Sequence, residues 1–209
     1  MFRPQNFIKI IILASTILSA STQYRALNLM EFENINKDFT INHLQKVFPD
    51  LIKENYAFRS DIQVEYAGST LIINGISKGS GMIKPNMATM LAYVGTDASI
   101  PQALLQELLL ELSECSFNRI TVDGDTSTND SCILLASGKS PAPVISKEHP
   151  DYPNFKRALK SVFIDIAQAI VKDGEGATKF VSVIIEQALS SKEALDVAYT
   201  IAHSPLIKT

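Results

Sequence analysis

A hydroxyl residue at the start of an apolar run is the feature of this sequence best suited to chemistry. Thr89 follows the small-residue stretch KGSGMIKPNMA and opens the run TMLAYV. Cleavage of the Ala88–Thr89 bond would give Thr89 an α-amine with a pKa of about 7.7–8.0, and that amine can act as the base for its own hydroxyl. The same residues are also typical of a Gly-rich turn that leads into a buried strand.

Two charged residues lie in similar small-residue surroundings. Lys78 ends an apolar, β-branched run directly before a Gly-Ser-Gly turn, and Glu175 lies between two glycines. Glycine lets the backbone approach a ligand closely, and a carboxylate there can pair with an ammonium group. The alternatives are a solvated lysine at the end of a strand and an exposed Gly-rich turn.

Four segments of the chain, in this order, resemble the ornithine acetyltransferase (glutamate N-acetyltransferase) family of arginine biosynthesis. The resemblance implies autocatalytic cleavage between Ala88 and Thr89, followed by transfer of an acetyl group through Thr89. It also implies substrate contacts at Lys78, Thr89 and Glu175. The segments are KGSGMIKPNMATML (78–91), FNRITVDGDTSTND (117–130), DGEGATKF (173–180) and the final SPLIKT.

The apolar run near the N-terminus has two interpretations. As a core strand at residues 10–16, it resembles the family strand that ends in the oxyanion turn, which places Thr16 and the backbone N–H of Ile17 in that role. The family has Gly where Ile17 stands. As a secretory signal, the run would follow the basic residues Arg3 and Lys9 and precede small residues. We favour the strand, and therefore a cytoplasmic protein.

The secondary-structure pattern predicts an α+β or layered α/β fold. It indicates a hairpin over residues 62–76, strands at 90–98 and 132–136, and amphipathic helices at 101–113 and 154–171. It also predicts a helix around 42–53, strands from 120 and at 180–185, and a last helix to residue 202. Ser190 and Glu193 form a capping box for that helix.

The resemblance refines the fold to an αββα sandwich of the N-terminal-nucleophile kind. It implies an α-chain-like segment at residues 1–88 and a β-chain-like segment at 89–209, assembling as an α2β2 heterotetramer when complete. The family is roughly twice as long, so the resemblance covers an incomplete fold, truncated at both ends. The stretch at 53–60, KENYAFRS, lacks the threonine of the family's substrate-contacting turn.

Composition excludes several other classes of function. A net charge of −3 and a pI of 5.6 argue against nucleic-acid binding. The apolar run at residues 10–20 is too short to span a bilayer, so no membrane partner is expected. The two cysteines and three histidines lack metal or redox spacing. The acidic run at 123–130 is typical of a turn network, so we predict no metal.

The resemblance thus implies an acetyltransferase that uses N2-acetylornithine and glutamate. It needs no cofactor, and acetyl-CoA is a candidate co-substrate. Two alternatives stay open. One is a non-enzymatic remnant that keeps the core fold. The other is an amidohydrolase or aminopeptidase that uses Thr89 as an N-terminal nucleophile, with water as the acceptor.

Overall fold

In the part of the chain that the structure describes, five strands form one mixed sheet in the order β1-β5-β4-β3-β2. The structure is a computed structural model, which describes residues 23–28, 58–78, 90–122, 124, 131–174 and 177–208. The strands are β1 (Gln23–Asn28), β2 (Phe58–Tyr66), β3 (Ser69–Lys78), β4 (Leu91–Thr96) and β5 (Ser131–Ala136).

The sheet combines an antiparallel hairpin with three parallel strands. Strands β2 and β3 pair in antiparallel fashion around a two-residue turn at Ala67 and Gly68, whose φ angles are 50° and 76°. Two successive positive φ angles are typical of the tight turn that matches strand twist. Strand β3 is antiparallel to β4, whereas β4, β5 and β1 are mutually parallel.

Two long helices cover one face of the sheet. Helix α1 (Gln102–Glu114) connects the parallel strands β4 and β5, and helix α2 (Tyr152–Lys172) follows β5. Helix α1 packs against β1 and β5, helix α2 packs against β2 and β3, and the two helices contact each other. Two shorter helices, α3 (Ser191–Ala202) and α4 (Pro205–Lys208), complete the chain.

The main core lies between the sheet and helices α1 and α2. Alternate strand residues face the helices, including Leu71, Val94 and Leu134, and all three are fully buried. At Gly75 the sheet approaches helix α2 very closely, because an added Cβ would lie 2.5 Å from Val162 Cγ1. Glycine at this position therefore allows the helix to pack directly on the strand backbone.

The opposite face of the sheet is also buried. The intervening residues Ile76, Tyr93, Ile133 and Leu135 expose between 0 and 7 % of their surface, although they lie outside the core formed with α1 and α2. Strands that are buried on both faces belong in a layered fold. The predicted layered α+β class is therefore confirmed, and an αββα sandwich accounts for burial on both faces.

Most of the predicted elements are confirmed within one or two residues. Helix α2 starts two residues earlier than predicted, at Tyr152. The capping box is present, since the Glu193 amide donates to Ser190 Oγ at 3.1 Å. The strand at 10–16 and the helix at 42–53 lie outside the described residues.

Two predicted strands are wrong. Residues 117–119 form a short 3₁₀ helix and residues 120–122 are irregular, so no strand starts at Ile120. The β-branched pattern at residues 180–185 predicted a strand, but these residues pair with none of the described strands. Among the described residues, no helix is both long enough and apolar enough to cross a membrane.

Candidate active site

The described residues include one of the residues proposed for chemistry and the strands and helices next to it. Of the residues proposed for chemistry, Lys78 lies within the described part, at the exposed end of β3. The other proposed residues, Thr16, Ile17, Ala88, Thr89 and Glu175, lie outside it, and their roles stay predictions.

Lys78 and Leu91 form the last residue pair between β3 and β4. In an antiparallel pair, directly opposite Cα atoms lie about 4.5–5.5 Å apart. Leu91 follows Thr89 by two positions in the sequence. The fold thus brings the predicted substrate lysine to the start of the strand that follows the predicted nucleophile.

The start of β4 is held on both sides. Leu91 pairs with Lys78 of β3 and with Ser131 of β5. The amide of Ser131 donates to the carbonyl of Met90 at 2.9 Å, and the Met90 side chain is 2 % exposed. The residue directly after Thr89 therefore has a fixed backbone and a buried side chain.

Helix α2 ends at the edge of the sheet where the strand ends at Lys78 and Leu91 lie. It begins next to the hairpin turn, where the Ala67 amide donates to Asp151 Oδ2 at 2.8 Å, and it runs alongside β3. Near its end, Ser77 Oγ donates a long hydrogen bond of 3.4 Å to the carbonyl of Ile166. Since Ser77 precedes Lys78, the last turn of α2 extends to the lysine end of the sheet.

Gly174 marks the exit from helix α2 and precedes Glu175 in the sequence. An added Cβ at Gly174 would lie 3.1 Å from Val122 Cγ1 and 3.3 Å from the Val171 carbonyl. Any larger residue would have to displace Val122. The geometry thus explains the first glycine of the Gly-Glu-Gly motif by packing against the segment before β5.

The segment between α1 and β5 is fastened to the end of α1. Asn118 Nδ2 donates to Glu114 Oε1 at 2.7 Å, and Arg119 Nε donates to the Glu114 carbonyl at 2.7 Å. These bonds continue the end of the helix into the 3₁₀ turn, and Val122 follows directly. The segment then leads to Ser131 at the edge of the sheet.

Sequence reasoning missed two residues at this edge, Tyr199 and His203. Tyr199 Oη donates to the Asn118 carbonyl at 2.7 Å, and His203 Nε2 lies 3.3 Å from Thr121 Oγ1. The three histidines have no metal-ligand spacing. The informative signal is the four-residue spacing between Tyr199, on the last predicted helix, and His203, directly after it, since residues four apart lie on one helical face.

Burial decides the protonation of two groups near the edge. It raises the pKa of the Cys132 thiol from 9.0 to about 12, so the thiol stays neutral and is a poor nucleophile at neutral pH. Burial also raises the pKa of Tyr199 to about 12, so its hydroxyl remains a donor. Neither group competes with a threonine for the role of nucleophile.

The described residues contain no group of three His, Cys, Asp or Glu side chains that could hold a metal ion. The acidic residues Asp123, Asp125 and Asp130 lie outside the described part. The expectation that the site uses no metal therefore stays a prediction.

Comparison with known proteins matches most of this chain to one family. Residues 50–209 match the model of the ArgJ family. The "Arginine biosynthesis bifunctional protein ArgJ" of Psychrobacter arcticus is 59% identical over 148 residues, which cover 70% of this chain and 36% of the relative. The protein of the same name from Pseudomonas fluorescens is 54% identical over 148 residues, with the same coverage.

A solved structure is also similar. The crystal structure of the arginine biosynthesis bifunctional protein ArgJ from Bacillus halodurans matches with a TM-score of 0.56 and 47% sequence identity. The match covers 58% of this chain and 57% of that chain. The matched part of this chain spans 36% of the length of the two relatives.

Proposed function

The chain belongs to the ArgJ family, and on this premise we propose that it carries the nucleophile of an acetyltransferase of arginine biosynthesis. The enzyme would move acetyl from N2-acetylornithine to glutamate. The names of the relatives support the arginine-biosynthesis role. The observation that carries the proposal is the pairing of Lys78 with Leu91, because it brings one predicted site residue next to the strand that follows Thr89.

The first chemical step is self-cleavage. The Thr89 hydroxyl attacks the carbonyl carbon of Ala88, and the peptide C–N bond breaks as the Thr89 nitrogen takes up a proton. The resulting ester between Ala88 and Thr89 Oγ is hydrolysed by water. The products are a segment ending in the Ala88 carboxylate and a segment starting with the free α-amine of Thr89.

The second step is acetyl transfer by a ping-pong route. The Thr89 hydroxyl attacks the acetyl carbonyl of N2-acetylornithine, and the α-amine accepts the hydroxyl proton. That proton passes to the departing ornithine nitrogen, which leaves acetyl on Thr89 Oγ. The α-amine of glutamate then attacks the acetyl ester and regenerates the Thr89 hydroxyl. Acetyl-CoA is a candidate alternative donor to the same oxygen.

Four further groups have proposed roles in these steps. The Lys78 ammonium lies beside the acetyl group and disfavours protonation of the nearby α-amine, because like charges repel. Glu175 pairs with the free amine of ornithine. The Thr16 hydroxyl and the Ile17 N–H stabilise the oxyanion of the tetrahedral intermediate.

The fold supports a two-segment enzyme. Residues 1–88 contain β3 and residues 89–209 contain β4, and these strands are hydrogen-bonded neighbours in the sheet. Cleavage would therefore leave the two segments joined through one sheet and one core. We propose an α2β2 assembly of such pairs in the cytoplasm.

Cleavage is the direct test of the nucleophile. Purified protein should resolve in denaturing gels into one piece of 88 residues and one of the remaining 121 of 209. Thr89→Ala should stay whole, and Thr89→Ser should cleave because it keeps a hydroxyl. A wild-type chain that stays in one piece through long incubation would remove Thr89 from this role.

A labelled substrate separates the remaining alternatives. With N2-acetylornithine labelled in the acetyl group, an acetyltransferase puts label on Thr89 and then on glutamate. An amidohydrolase would release labelled acetate regardless of glutamate. A chain that does neither, while folding normally, would be the non-enzymatic remnant.

A further inference from the structure

Helix α3 is attached to the rest of the protein in an unusual way. None of its side chains is fully buried, so apolar packing alone holds it weakly. Tyr199 and His203 are half-buried, and their rings stack with centroids 5.4 Å apart and planes at 26°. The two rings form one contact surface at the C-terminal end of the helix.

This surface holds the segment that precedes β5 at two points. Tyr199 Oη donates to the Asn118 carbonyl at 2.7 Å, and His203 Nε2 lies within hydrogen-bond distance, 3.3 Å, of Thr121 Oγ1. The two attachment points are three residues apart in the segment. Because each bond fixes a different residue, together they restrict both the position and the rotation of the segment.

A third feature near the His203 ring is the backbone at Gly124. Gly124 has a φ of +90°, which residues with a side chain rarely adopt. An added Cβ at Gly124 would lie 3.5 Å from His203 Cδ2. The backbone at Gly124 thus lies beside the imidazole ring.

The segment in turn contacts the exit of helix α2. Val122 is the neighbour of Thr121, and its Cγ1 lies 3.1 Å from the place where a Cβ on Gly174 would be. The carbonyl of Gly174 accepts a hydrogen bond of 2.8 Å from the Ala177 amide. Val122 lies close to Gly174, and this hydrogen bond joins Gly174 to Ala177, where the chain leaves helix α2.

We propose that Tyr199 and His203 are positioning residues of the candidate active site. They hold Asn118 and Thr121, and through Val122, the neighbour of Thr121, they support Gly174, which precedes the proposed substrate carboxylate Glu175 in the sequence. The inference rests on the proposed function for the role of Glu175.

His203 acts through its neighbours and not on the reacting atoms. Its contacts include the Tyr199 ring and Thr121, and it lies beside the Gly124 backbone. Its effect should therefore appear in substrate binding. Displacement of a binding group by about 1 Å can cost on the order of 100-fold, so loosening the Gly174 turn should weaken binding while leaving self-cleavage intact.

The experiment compares His203→Ala, Thr121→Val and the double variant in the full chain. Each single variant should raise the KM for N2-acetylornithine about tenfold, with kcat changed less than about threefold and an unchanged rate of self-cleavage. The double variant should resemble either single variant, because both remove one contact. His203→Gln should restore the KM, since its amide nitrogen can reach the position of Nε2.

A readout that needs no turnover is hydrogen exchange at the Ala177 amide. Exchange should become faster in His203→Ala and return to the wild-type rate in His203→Gln. Tyr199→Phe, which removes one hydroxyl, should give a smaller effect in the same direction. His149→Ala is the matched control, because His149 stacks on Tyr66 at 4.5 Å, beside the hairpin-turn end of the sheet.

Two results would overturn the proposal. One is wild-type exchange at Ala177 and a wild-type KM in His203→Ala. The other is a raised KM accompanied by slower self-cleavage and lower thermal stability, none of which His203→Gln restores. That pattern would indicate only a structural role. If the wild-type chain neither cleaves nor transfers acetyl, the proposed function fails, and the exchange at Ala177 still decides whether His203 holds the turn.

Discussion

Lys78 and Leu91 lie opposite each other in the final pair of the β3–β4 ladder. The loop between them contains the candidate cleavage bond, so the chain leaves the sheet at one strand and returns at its neighbour. Both ends of this loop are fixed by the sheet. A cut within it would not separate β3 from β4, because their hydrogen bonds do not depend on a covalent connection.

The first prediction is that the two cleavage products stay together. The ladder from Ile73–Thr96 to Lys78–Leu91 joins them, and Leu71 and Val94 share one core. In native gel filtration the cleaved protein should elute as one species at the volume of uncleaved Thr89→Ala. In 6 M guanidinium the two pieces should separate. Separate elution under native conditions would show that the ladder does not hold the segments.

The second prediction concerns the close approach at Gly75. A Cβ there would lie 2.5 Å from Val162 Cγ1, so Gly75→Ala should lower the free energy of unfolding by about 1–3 kcal/mol through overpacking. Val162→Ala should relieve the clash, and urea titrations of the double variant should show less destabilisation than the sum of the single variants. Additive losses would mean that the helix moves away freely.

Gly68→Ala gives a matched comparison for Gly75→Ala. Gly68 has a φ of +76° and no atom within 4 Å of an added Cβ. Its substitution should cost about 1–2 kcal/mol from backbone strain alone, and Val162→Ala should not relieve that cost. The two glycines thus separate a steric requirement from a conformational one.

The third prediction concerns alkaline pH. Burial raises the pKa of Cys132 from 9.0 to about 12, so the folded protein keeps a proton that the unfolded chain loses in this range. The contribution of Cys132 to stability is therefore complete below pH 9 and is lost as the pH rises towards 12. The loss is up to about 1.4 kcal/mol per pH unit.

Urea midpoints at several pH values test this prediction. The wild-type midpoint should fall more steeply than that of Cys132→Ala between pH 9 and pH 11. The two proteins should show parallel pH dependence between pH 6 and pH 7.5, where the thiol is protonated in both states. Parallel curves across the whole range would show that the thiol ionises as easily in the fold as in the unfolded chain.

The fourth prediction concerns the capping box of helix α3. Ser190 Oγ accepts from the Glu193 amide at 3.1 Å, and Glu193 Oε2 accepts from the Leu189 amide at 2.7 Å. Ser190→Ala should destabilise the helix by about 1 kcal/mol. Since α3 has no fully buried side chain, hydrogen exchange should rise about fivefold within α3 while the global unfolding midpoint changes little.

Ser191→Ala is the control for the cap, because it changes the neighbouring serine and leaves the capping oxygen in place. It should leave exchange in α3 close to wild type. A shift of the global midpoint by Ser190→Ala as large as the local effect would show that α3 unfolds only with the whole protein.

Local pattern was sufficient to predict the parts of the fold that depend on near neighbours. The hairpin follows from alternating apolar residues around Gly68, and helix α1 follows from its leucine stripe. The pairing of Lys78 with Leu91 also follows once β3 and β4 are antiparallel neighbours joined by one loop. These features lie within a short stretch of chain.

Contacts between distant residues could not be predicted in the same way. Thr121 and His203 are 82 positions apart, and no periodic pattern connects them. The β-branched run at 180–185 predicted a strand, yet strand formation depends on a pairing partner, and none of the described strands pairs with it. The Asn118 side chain donates a hydrogen bond to Glu114 at the end of helix α1. This bond favours the 3₁₀ turn there over the strand that the apolar pattern from Ile120 predicted.

The fifth prediction concerns the charge of Lys78, which is exposed at the end of β3. Lys78→Met removes the charge and keeps most of the side-chain length, whereas Lys78→Arg keeps the charge. The Met variant should lower kcat/KM for acetyl transfer roughly 10- to 100-fold, since a hydrogen bond to a charged group contributes about 1.5–3 kcal/mol. The Arg variant should retain much more activity.

The pH profile distinguishes the two effects of this charge. A nearby ammonium disfavours protonation of the Thr89 α-amine, so its removal should shift the acidic limb of the kcat/KM profile to higher pH. Lys78→Arg should leave that limb in place, because the positive charge remains. If the Met variant loses activity with an unshifted limb, Lys78 binds substrate without tuning the amine. If the Met variant keeps its activity and the acidic limb stays in place, Lys78 is a solvated residue at the end of a strand.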